Sequence, residues 1–585
     1  MKIFLIKLTH GVIKADLNHE ERELLQELYA KGFLNQENET YTLSSKYRAG
    51  LIDLTQTGSA YLQVIGTSMK DLFIEAKDLN GADKNDLVIC QRLIGRRGKP
   101  SAVVSYVVGK AEQYGVAAIK LLNNTKVLTD LKTDTPVSLR LDTDALDRYQ
   151  ENDVFQIDYQ KNIIKTHLGS LDDPFTDELI ALALFNRHNE FDQSILDQAK
   201  NFGESVDASR YPDRKDLRHL PFCTIDPVTA KDFDDAIYFD EKESALYVAI
   251  ADVSSYVEPF GPIDTEAMYR GFTVYFPHKS VPMLPRELSE NLCSLRPNED
   301  RLAFTFKIFL DSQSLDVTDT ELYETLIHSR RRYTYAEVDA FFEGELKAKD
   351  EHDRATMAYL PKLKEITQRL REKRMLRGYD FRSREYEIHL NDKGLIESVD
   401  SEPETPSHGL IEDCMLLANK AAADRFERGV FRIHEAPSPL KLQSLYTQLS
   451  GIGIDVEIKG SMRQTIADIQ VKADQLGIAE EVDTLIIQSQ MQARYAPDNQ
   501  GHFGLGFDSY THFTSPIRRY SDLMVHRLLK AMLAKDKGQA GYLMRNIDAL
   551  CEQVSTLERE ADYTAKDLEN RKYARWANEH IGQIV

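Results

Sequence analysis

Four aspartates, Asp226, Asp232, Asp234 and Asp235, fall within the stretch TIDPVTAKDFDDAIYF, residues 224–239. Their neighbours are not those of a solvated charge run: Ile225, Phe233, Ala236, Ile237, Tyr238 and Phe239 are apolar, and Pro227 stops a helix. The alternation after Asp234 predicts a strand entering a core, with Asp232 and Asp234 on one side of an extended segment. Carboxylates crowded against an apolar wall repel one another, and burying each unpaired charge is unfavourable. A divalent cation relieves both problems, and an all-oxygen ligand set suits Mg²⁺ or Mn²⁺ rather than zinc. The spacing is not that of a calcium loop, because Lys231 and Ile237 stand where such a loop needs its Gly and its Glu. The competing reading is a set of surface aspartates around a hairpin turn.

A second constellation is HFTSPIRRY, His512 to Tyr520. Ser515 as N-cap and Pro516 at the first helical position predict a helix. Its apolar face would carry Ile517, Tyr520, Met524, Leu528 and Met532. Arg518 and Arg519 would then stand in the first turn among free backbone N–H groups, which makes an anion site. A cation there does not help the helix, which argues for an anionic partner. An ion pair with a nearby carboxylate is the alternative.

The 585 residues are enough for several domains, and 42% hydrophobic content is enough for real cores. The net charge of −21 counts against a nucleic-acid partner unless basic groups are concentrated in a channel. Residues 1–165 are charge-balanced, and the excess of acid lies downstream. The five cysteines are widely spaced with no CxxC pair, so neither a zinc site nor a disulfide framework is expected. The N-terminal apolar run is too short for a secretory signal, and no apolar run is long enough to span a membrane. A soluble cytoplasmic protein with no membrane partner is expected.

The aspartate stretch, followed by YVAIADVSSYV, GFTVYFPHKSVPMLPRELSENLCSL and HFTSPIRRYSDLMVHRLL in that order, resembles the catalytic domain of the ribonuclease II/ribonuclease R exoribonucleases. The resemblance covers roughly residues 213–576. It implies a Mg²⁺-dependent (Mn²⁺ possible) 3′→5′ hydrolase that degrades single-stranded RNA processively to nucleoside 5′-monophosphates. No small-molecule cofactor and a monomeric state are expected with it. It makes Asp226, Asp232, Asp234 and Asp235 the metal-holding and catalytic carboxylates, and Arg518 the arginine that clamps the scissile phosphate, with Arg519 beside it. Two cations about 4 Å apart would activate water and relieve charge on the phosphate. Tyr275 is implied to stack on the 3′-terminal nucleotide, Phe381 to do so from another side, and Glu412, with Asp413 as a rival, to contact the terminal ribose. The alternative function is a non-catalytic RNA-binding regulator that keeps its barrels. Loss of an aspartate or of Arg518 would have favoured it, and all are present.

These groups need a multidomain frame. Residues 1–48 read as a winged-helix-like segment, with Leu24, Leu25, Leu28 and Tyr29 on one helical face, Asn18 as N-cap and Gly32 as the stop. Short strands over 49–108 and 109–165, PVSLRL among them, suit two OB-fold, cold-shock-like barrels. The tip RLIGRRGKP, with Arg96 and Arg97, is either an RNA backbone contact or a solvated hairpin. Residues 166–210 read as a linker and 211–576 as an α+β RNB-type catalytic domain, with a Pro-rich loop over 266–294 and Asp252 as a supporting carboxylate. At 577–585 the resemblance places the start of an S1 domain, which is expected to be missing.

Overall fold

The computed structural model describes the chain except at residues 1, 18, 56–57, 66–70, 85, 95–99, 110–113, 140–144, 160, 260, 380–384, 403, 546 and 584–585. Arg96, Arg97 and Phe381, and the expected N-cap Asn18, lie outside the described residues.

The N-terminal segment pairs helices Lys2–His10 and His19–Ala30 with a three-stranded sheet built from Val12–Ile13, Leu34–Glu37 and Thr40–Leu43. This is the expected helix-and-wing arrangement. Leu25 and Leu28 are buried with Phe4, Leu5 and Leu8, and Gly32 ends the second helix at φ +78°. Tyr29, expected on the same face, is 46% exposed and meets Tyr41 edge-on. The core continues into Ala49, Leu87 and Ile89, so the segment is welded to the unit that follows.

That unit is a closed barrel of Tyr47–Leu54, Ala60–Val64, Leu72–Ile74, Leu87–Ile94 and Pro100–Gly109. A single parallel bridge, Phe73 to Ser101, closes it. The second β-unit is a four-stranded sheet of Thr125–Asp130, Tyr114–Leu122, Asp153–Asp158 and Ile163–Ser170. PVSLRL contributes only an isolated bridge from Pro136 to Thr129 among the described residues. The last strand runs to Ser170, past the expected boundary at 165, because it needs all of the Asp153–Asp158 edge to pair with. Helix Thr176–Leu184 then packs Ile180 and Ala183 against Val116, Ala118 and Val154.

The catalytic region is built on a seven-stranded mixed sheet. Its order is Lys215–Asp216, Val317–His328, Asp300–Leu310, Ala245–Ala251, Asp235–Asp240, Cys223–Asp226 and Arg331–Thr334. The central strands are apolar on both faces because helices cover both: every residue of Ala245–Ala251 is buried. Helices Pro406–Ala423 and Tyr520–Leu533 contribute Leu410, Cys414, Leu523 and Val525 to that core. Three helices, Pro439–Gly451, Met462–Leu476 and Ala479–Ser489, form a satellite with its own core. The terminal helix Ile547–Glu579, about 50 Å long at its rise per residue, runs back along the molecule and buries Ala549 in the N-terminal core.

The Pro-rich stretch 266–294 is not a loop. It holds helix Pro262–Arg270 and a short hairpin, Val274–Phe276 with Lys279–Val281. The prolines fall at turns and edges, where they remove no ladder hydrogen bond.

Candidate active site

The connection between Cys223–Asp226 and Asp235–Asp240 carries Asp232 and Asp234, and the strand ends on either side of it carry Asp226 and Asp235. The strand starts only at Asp235, which faces Ile250, so Asp232 and Asp234 are on turn backbone and do not share a strand face. Asp226 ends its strand opposite Thr334. Asp232 accepts from the Tyr275 hydroxyl at 3.1 Å. Asp234, 6% exposed, accepts from the Ile517 N–H at 3.0 Å and lies 3.9 Å from Arg518 Nε. Among the described residues no three or more His, Cys, Asp or Glu side chains converge as a finished metal cage. Asp232 and Asp234 are each held by a partner of their own, the Tyr275 hydroxyl and the Ile517 N–H.

The electrostatics still mark the set as one unit. Burial, reinforced by the charge of Asp235, pushes Asp226 well above the ordinary carboxylate range. Burial does the same to Asp234, against the pull of Arg518 and the Ile517 N–H. It pushes Asp235 up to about 6, again against Arg518. Asp226 Oδ2 is buried and accepts no hydrogen bond. An unsatisfied buried carboxylate oxygen is costly, and one beside three more carboxylates fits a divalent cation with oxygen ligands.

Arg518 and Arg519 are not in a helix. The helix begins at Tyr520, and residues 515–518 make a turn in which Ser515 O accepts from the Arg519 N–H at 3.0 Å. Arg519 is extended (φ −130°) and bridges Phe272, while Thr273 N–H donates to Arg518 O. This β-like pairing with the 272–273 backbone overrides the Ser–Pro helix-start signal. Arg519 is bidentate to Asp522 at 2.8–2.9 Å, so of the two readings for it the ion pair is the one found. Arg518 keeps its side chain 47% exposed, at the edge of the cavity above Asp234.

That cavity, about 1280 Å³, is lined by all four aspartates together with Tyr275, Glu412, Arg518 and Arg519. Tyr275 is 46% exposed between buried Val274 and Phe276, as hairpin alternation requires. On helix Pro406–Ala423, Glu412 faces the cavity and is paired with Arg371 and, at 3.6 Å, Arg374. Its neighbour Asp413 is 4% exposed and bound by the same two arginines, so it is a structural residue. Asp252 is no supporting carboxylate: it is fully buried, and although burial pushes it up, Lys530 and Arg214 hold it well below the usual range.

Several residues of the site carried no sequence signal. Arg332, on the edge strand Arg331–Thr334, donates to the Pro227 carbonyl and lies 5.6 Å from the Phe233 ring, so one side chain pins both ends of the acidic turn. Tyr335 and His408 stack at 3.8 Å on the cavity wall. Asn419 accepts from the Phe513 N–H at 2.7 Å and donates to the Tyr510 hydroxyl. His512 is bonded through Nδ1 to the Tyr495 hydroxyl at 2.8 Å, and burial with Arg519 and Arg432 keeps it neutral.

Comparison with known proteins places the chain in a family. The RNB domain family matches residues 214–535, the family described as "Ribonuclease R, OB first domain, N-terminal" matches 3–103, and the ribonuclease R second OB domain matches 116–182. The first OB match takes in the helix-and-wing segment together with the barrel. The chain is 35% identical over 589 residues to the ribonuclease R of Helicobacter pylori, covering 99% of this chain and 89% of that one. The chain belongs to the ribonuclease R family. It is therefore an exoribonuclease, with two N-terminal OB domains ahead of an RNB domain. The ribonuclease R of Escherichia coli is 36% identical over 414 residues, covering 67% of this chain and 50% of that one. The structure of Mycoplasma genitalium ribonuclease R in complex with ribose-methylated single-stranded RNA superposes with a TM-score of 0.76 at 25% identity, covering 92% of this chain and 87% of that one. A yeast pseudonuclease shares the fold at 17% identity and a TM-score of 0.65, covering 95% of this chain and 75% of that one. The fold by itself therefore does not decide activity, and the residues of the site must.

Proposed function

We propose that this ribonuclease R-family protein hydrolyses single-stranded RNA processively from its 3′ end, in the cytoplasm and as a monomer. It needs Mg²⁺, with Mn²⁺ as a substitute, and releases nucleoside 5′-monophosphates. The observation that carries this reading is the buried, unpartnered Oδ2 of Asp226 within a set of four carboxylates that line one large cavity. Asp226, Asp232, Asp234 and Asp235 would hold the metal, which when bound supplies Lewis-acid charge and a water of lowered pKa.

The chain's own groups do the rest. Arg518 reaches the phosphate from the cavity edge and meets the negative charge that gathers on its oxygens in the transition state. Tyr275 offers its ring face to the 3′-terminal base, while its hydroxyl stays on Asp232. Glu412 faces the ribose end of the cavity, where a carboxylate accepts from a 2′-hydroxyl and so selects RNA over DNA. Arg519 steadies Arg518 through Asp522 rather than touching RNA. The regulator reading is disfavoured, since the four carboxylates and Arg518 are all present at one cavity.

The test uses a 5′-labelled and a 3′-labelled 20-mer RNA, with Mg²⁺, with Mn²⁺ and with EDTA. Release of labelled monophosphate from the 3′ label first, in either metal and not in EDTA, is expected. Equal hydrolysis in EDTA, or release from the 5′ end first, would falsify the reading.

A further inference from the structure

Residues 230–234, which carry Asp232 and Asp234, form neither helix nor strand. Their backbone groups have no ladder of their own and must find partners elsewhere. One partner is a neighbouring strand, whose Ala251 N–H donates to the Asp234 carbonyl at 2.8 Å. Three more bonds come from a single dipeptide, Ser294–Leu295. The Phe233 N–H donates to Ser294 Oγ at 3.0 Å, and Ser294 Oγ donates to the Lys231 carbonyl at 2.8 Å. The Leu295 N–H donates to the Phe233 carbonyl at 2.9 Å.

The Lys231 carbonyl and the Phe233 N–H belong to the two peptide units that meet at the Asp232 Cα. Each unit is planar, so the Asp232 backbone has only φ and ψ to vary between them. A hydroxyl that holds both units restrains both torsions, and with them the direction of the Asp232 side chain. A buried hydroxyl is satisfied by one partner, whereas this one uses its donor and its acceptor on a segment 61 and 63 residues away. Ser294 is fully buried, and its own carbonyl accepts from Arg301 Nε at 2.8 Å. Arg301 is buried in turn, bonded to the Asn291 side chain and paired with Glu299. The hydroxyl therefore stands on a fixed support, while the Asp232 carboxylate is itself met by the Tyr275 hydroxyl.

We propose that Ser294 is a positioning residue of the metal centre, aiming the Asp232 carboxylate by bridging the two peptide groups that flank it. The proposal rests on the reading that the four aspartates hold a divalent cation. Mg²⁺ demands near-ideal octahedral geometry, so a ligand on an irregular loop needs such a support more than one on a strand does.

The experiment measures Mn²⁺ binding to the full chain by titration calorimetry without RNA, with thermal melts in EDTA alongside. The proteins are the parent, Ser294→Ala, Ser294→Cys, Ser294→Thr, Asp232→Asn and the double variant Ser294→Ala with Asp232→Asn. Ser294→Ala is expected to bind Mn²⁺ about 10-fold more weakly or worse, the size of a lost support behind a metal ligand. Ser294→Cys fills the site with a weaker donor and acceptor and should bind at an intermediate strength, so the series stays readable if Ser294→Ala does not fold. Ser294→Thr keeps the hydroxyl and overpacks a full site. It should melt lower than the parent yet bind Mn²⁺ as the parent does. In the Asp232→Asn background Ser294→Ala should cost nothing further, because the ligand it aims is gone. Parent-like affinity in Ser294→Ala or Ser294→Cys overturns the proposal. So does affinity that falls with melting temperature in Ser294→Thr, or a Ser294→Ala loss that persists undiminished in Asp232→Asn. A parent that binds no Mn²⁺ removes the metal reading and this proposal together, whereas a parent that binds without the pattern above removes only the role of Ser294.

Discussion

At the scale of single residues, the acidic turn stores unfavourable charge. Asp226, Asp234 and Asp235 all sit above the ordinary carboxylate range, mainly through burial. For an acid whose folded pKa is raised, stability is fully present below the unfolded pKa and is lost as pH rises through the folded one. Metal-free protein is therefore expected to lose stability as pH rises from about 4 through about 6, the latter for Asp235. Asp234→Asn removes one of these charges and keeps the shape. It should melt at least about 2 °C higher than the parent in EDTA at pH 7.5 and show a smaller gain on adding Mg²⁺, while hydrolysis nearly vanishes and RNA binding survives. Thermal melts with and without metal, together with a cleavage assay, check this. An unchanged melt with normal turnover would remove Asp234 from the centre. Arg518 is the group proposed to act on the other partner, the phosphate. Arg518→Ala should slow single-turnover cleavage by roughly 10²-fold or more, with a smaller effect on affinity. If affinity falls and bound RNA is cut at the normal rate, Arg518 is only an anchor.

At the scale of elements, two further devices hold the catalytic turns. The first is Asp522, fully buried in the first turn of its helix, which accepts from the Ser515 N–H and from two Arg519 nitrogens. It fixes the 515–519 turn, and with it both the Ile517 N–H that meets Asp234 and the position of Arg518. Asp522→Asn leaves Arg519 without its countercharge, and losing one partner of such a pair costs about 3–5 kcal/mol. Lower melting temperature together with slower cleavage of bound RNA is expected. Slower cleavage without destabilisation would mean that Asp522 acts some other way. The second device is Arg332, which ties Pro227 to Phe233 across the acidic turn. Arg332→Met should raise the Mg²⁺ concentration needed for half-maximal cleavage, and Arg332→Lys should restore part of it. A metal titration of cleavage rates on all three proteins decides the matter, and identical titration curves would show that the turn is held without it.

At the scale of the whole molecule, the terminal helix fastens the catalytic domain to the β-units. Asp177, at the start of helix Thr176–Leu184, is 2% exposed and is held by Lys572 at 3.1 Å and by Arg575 at 2.7 Å. On the same helix Glu178 takes Lys279 at 2.7 Å and His278 at 3.0 Å, from the hairpin that carries Tyr275. The segment expected as a linker is therefore a joint between the second OB domain and the active site. Asp177→Ala should loosen that joint, leaving Lys572 buried without its partner. Limited proteolysis should cut faster within 171–210, and binding of long RNA should weaken more than cleavage of a short oligonucleotide. Equal losses on long and short RNA would place the effect inside the catalytic domain instead.

The sequence alone was enough to single out the carboxylate cluster and the chemistry proposed for it. Carboxylates set in apolar strand sequence imply a countercharge wherever they fold, because burial of charge is unfavourable in every context. Short alternating strands imply β-units for the same general reason, since the period of two is local. What failed were inferences from local signals that tertiary contacts overrode. Ser515–Pro516 signals a helix start, yet Arg518 and Arg519 instead pair with the backbone at 272–273, some 245 residues away in sequence. Asp252 reads as one more carboxylate, yet Lys530 and Arg214 claim it from distant segments. Only the folded chain decided that Glu412 rather than Asp413 faces the cavity and that Arg332 clips the acidic turn. Each depends on which remote strand or helix lies alongside, and a sequence carries no distance between segments that far apart.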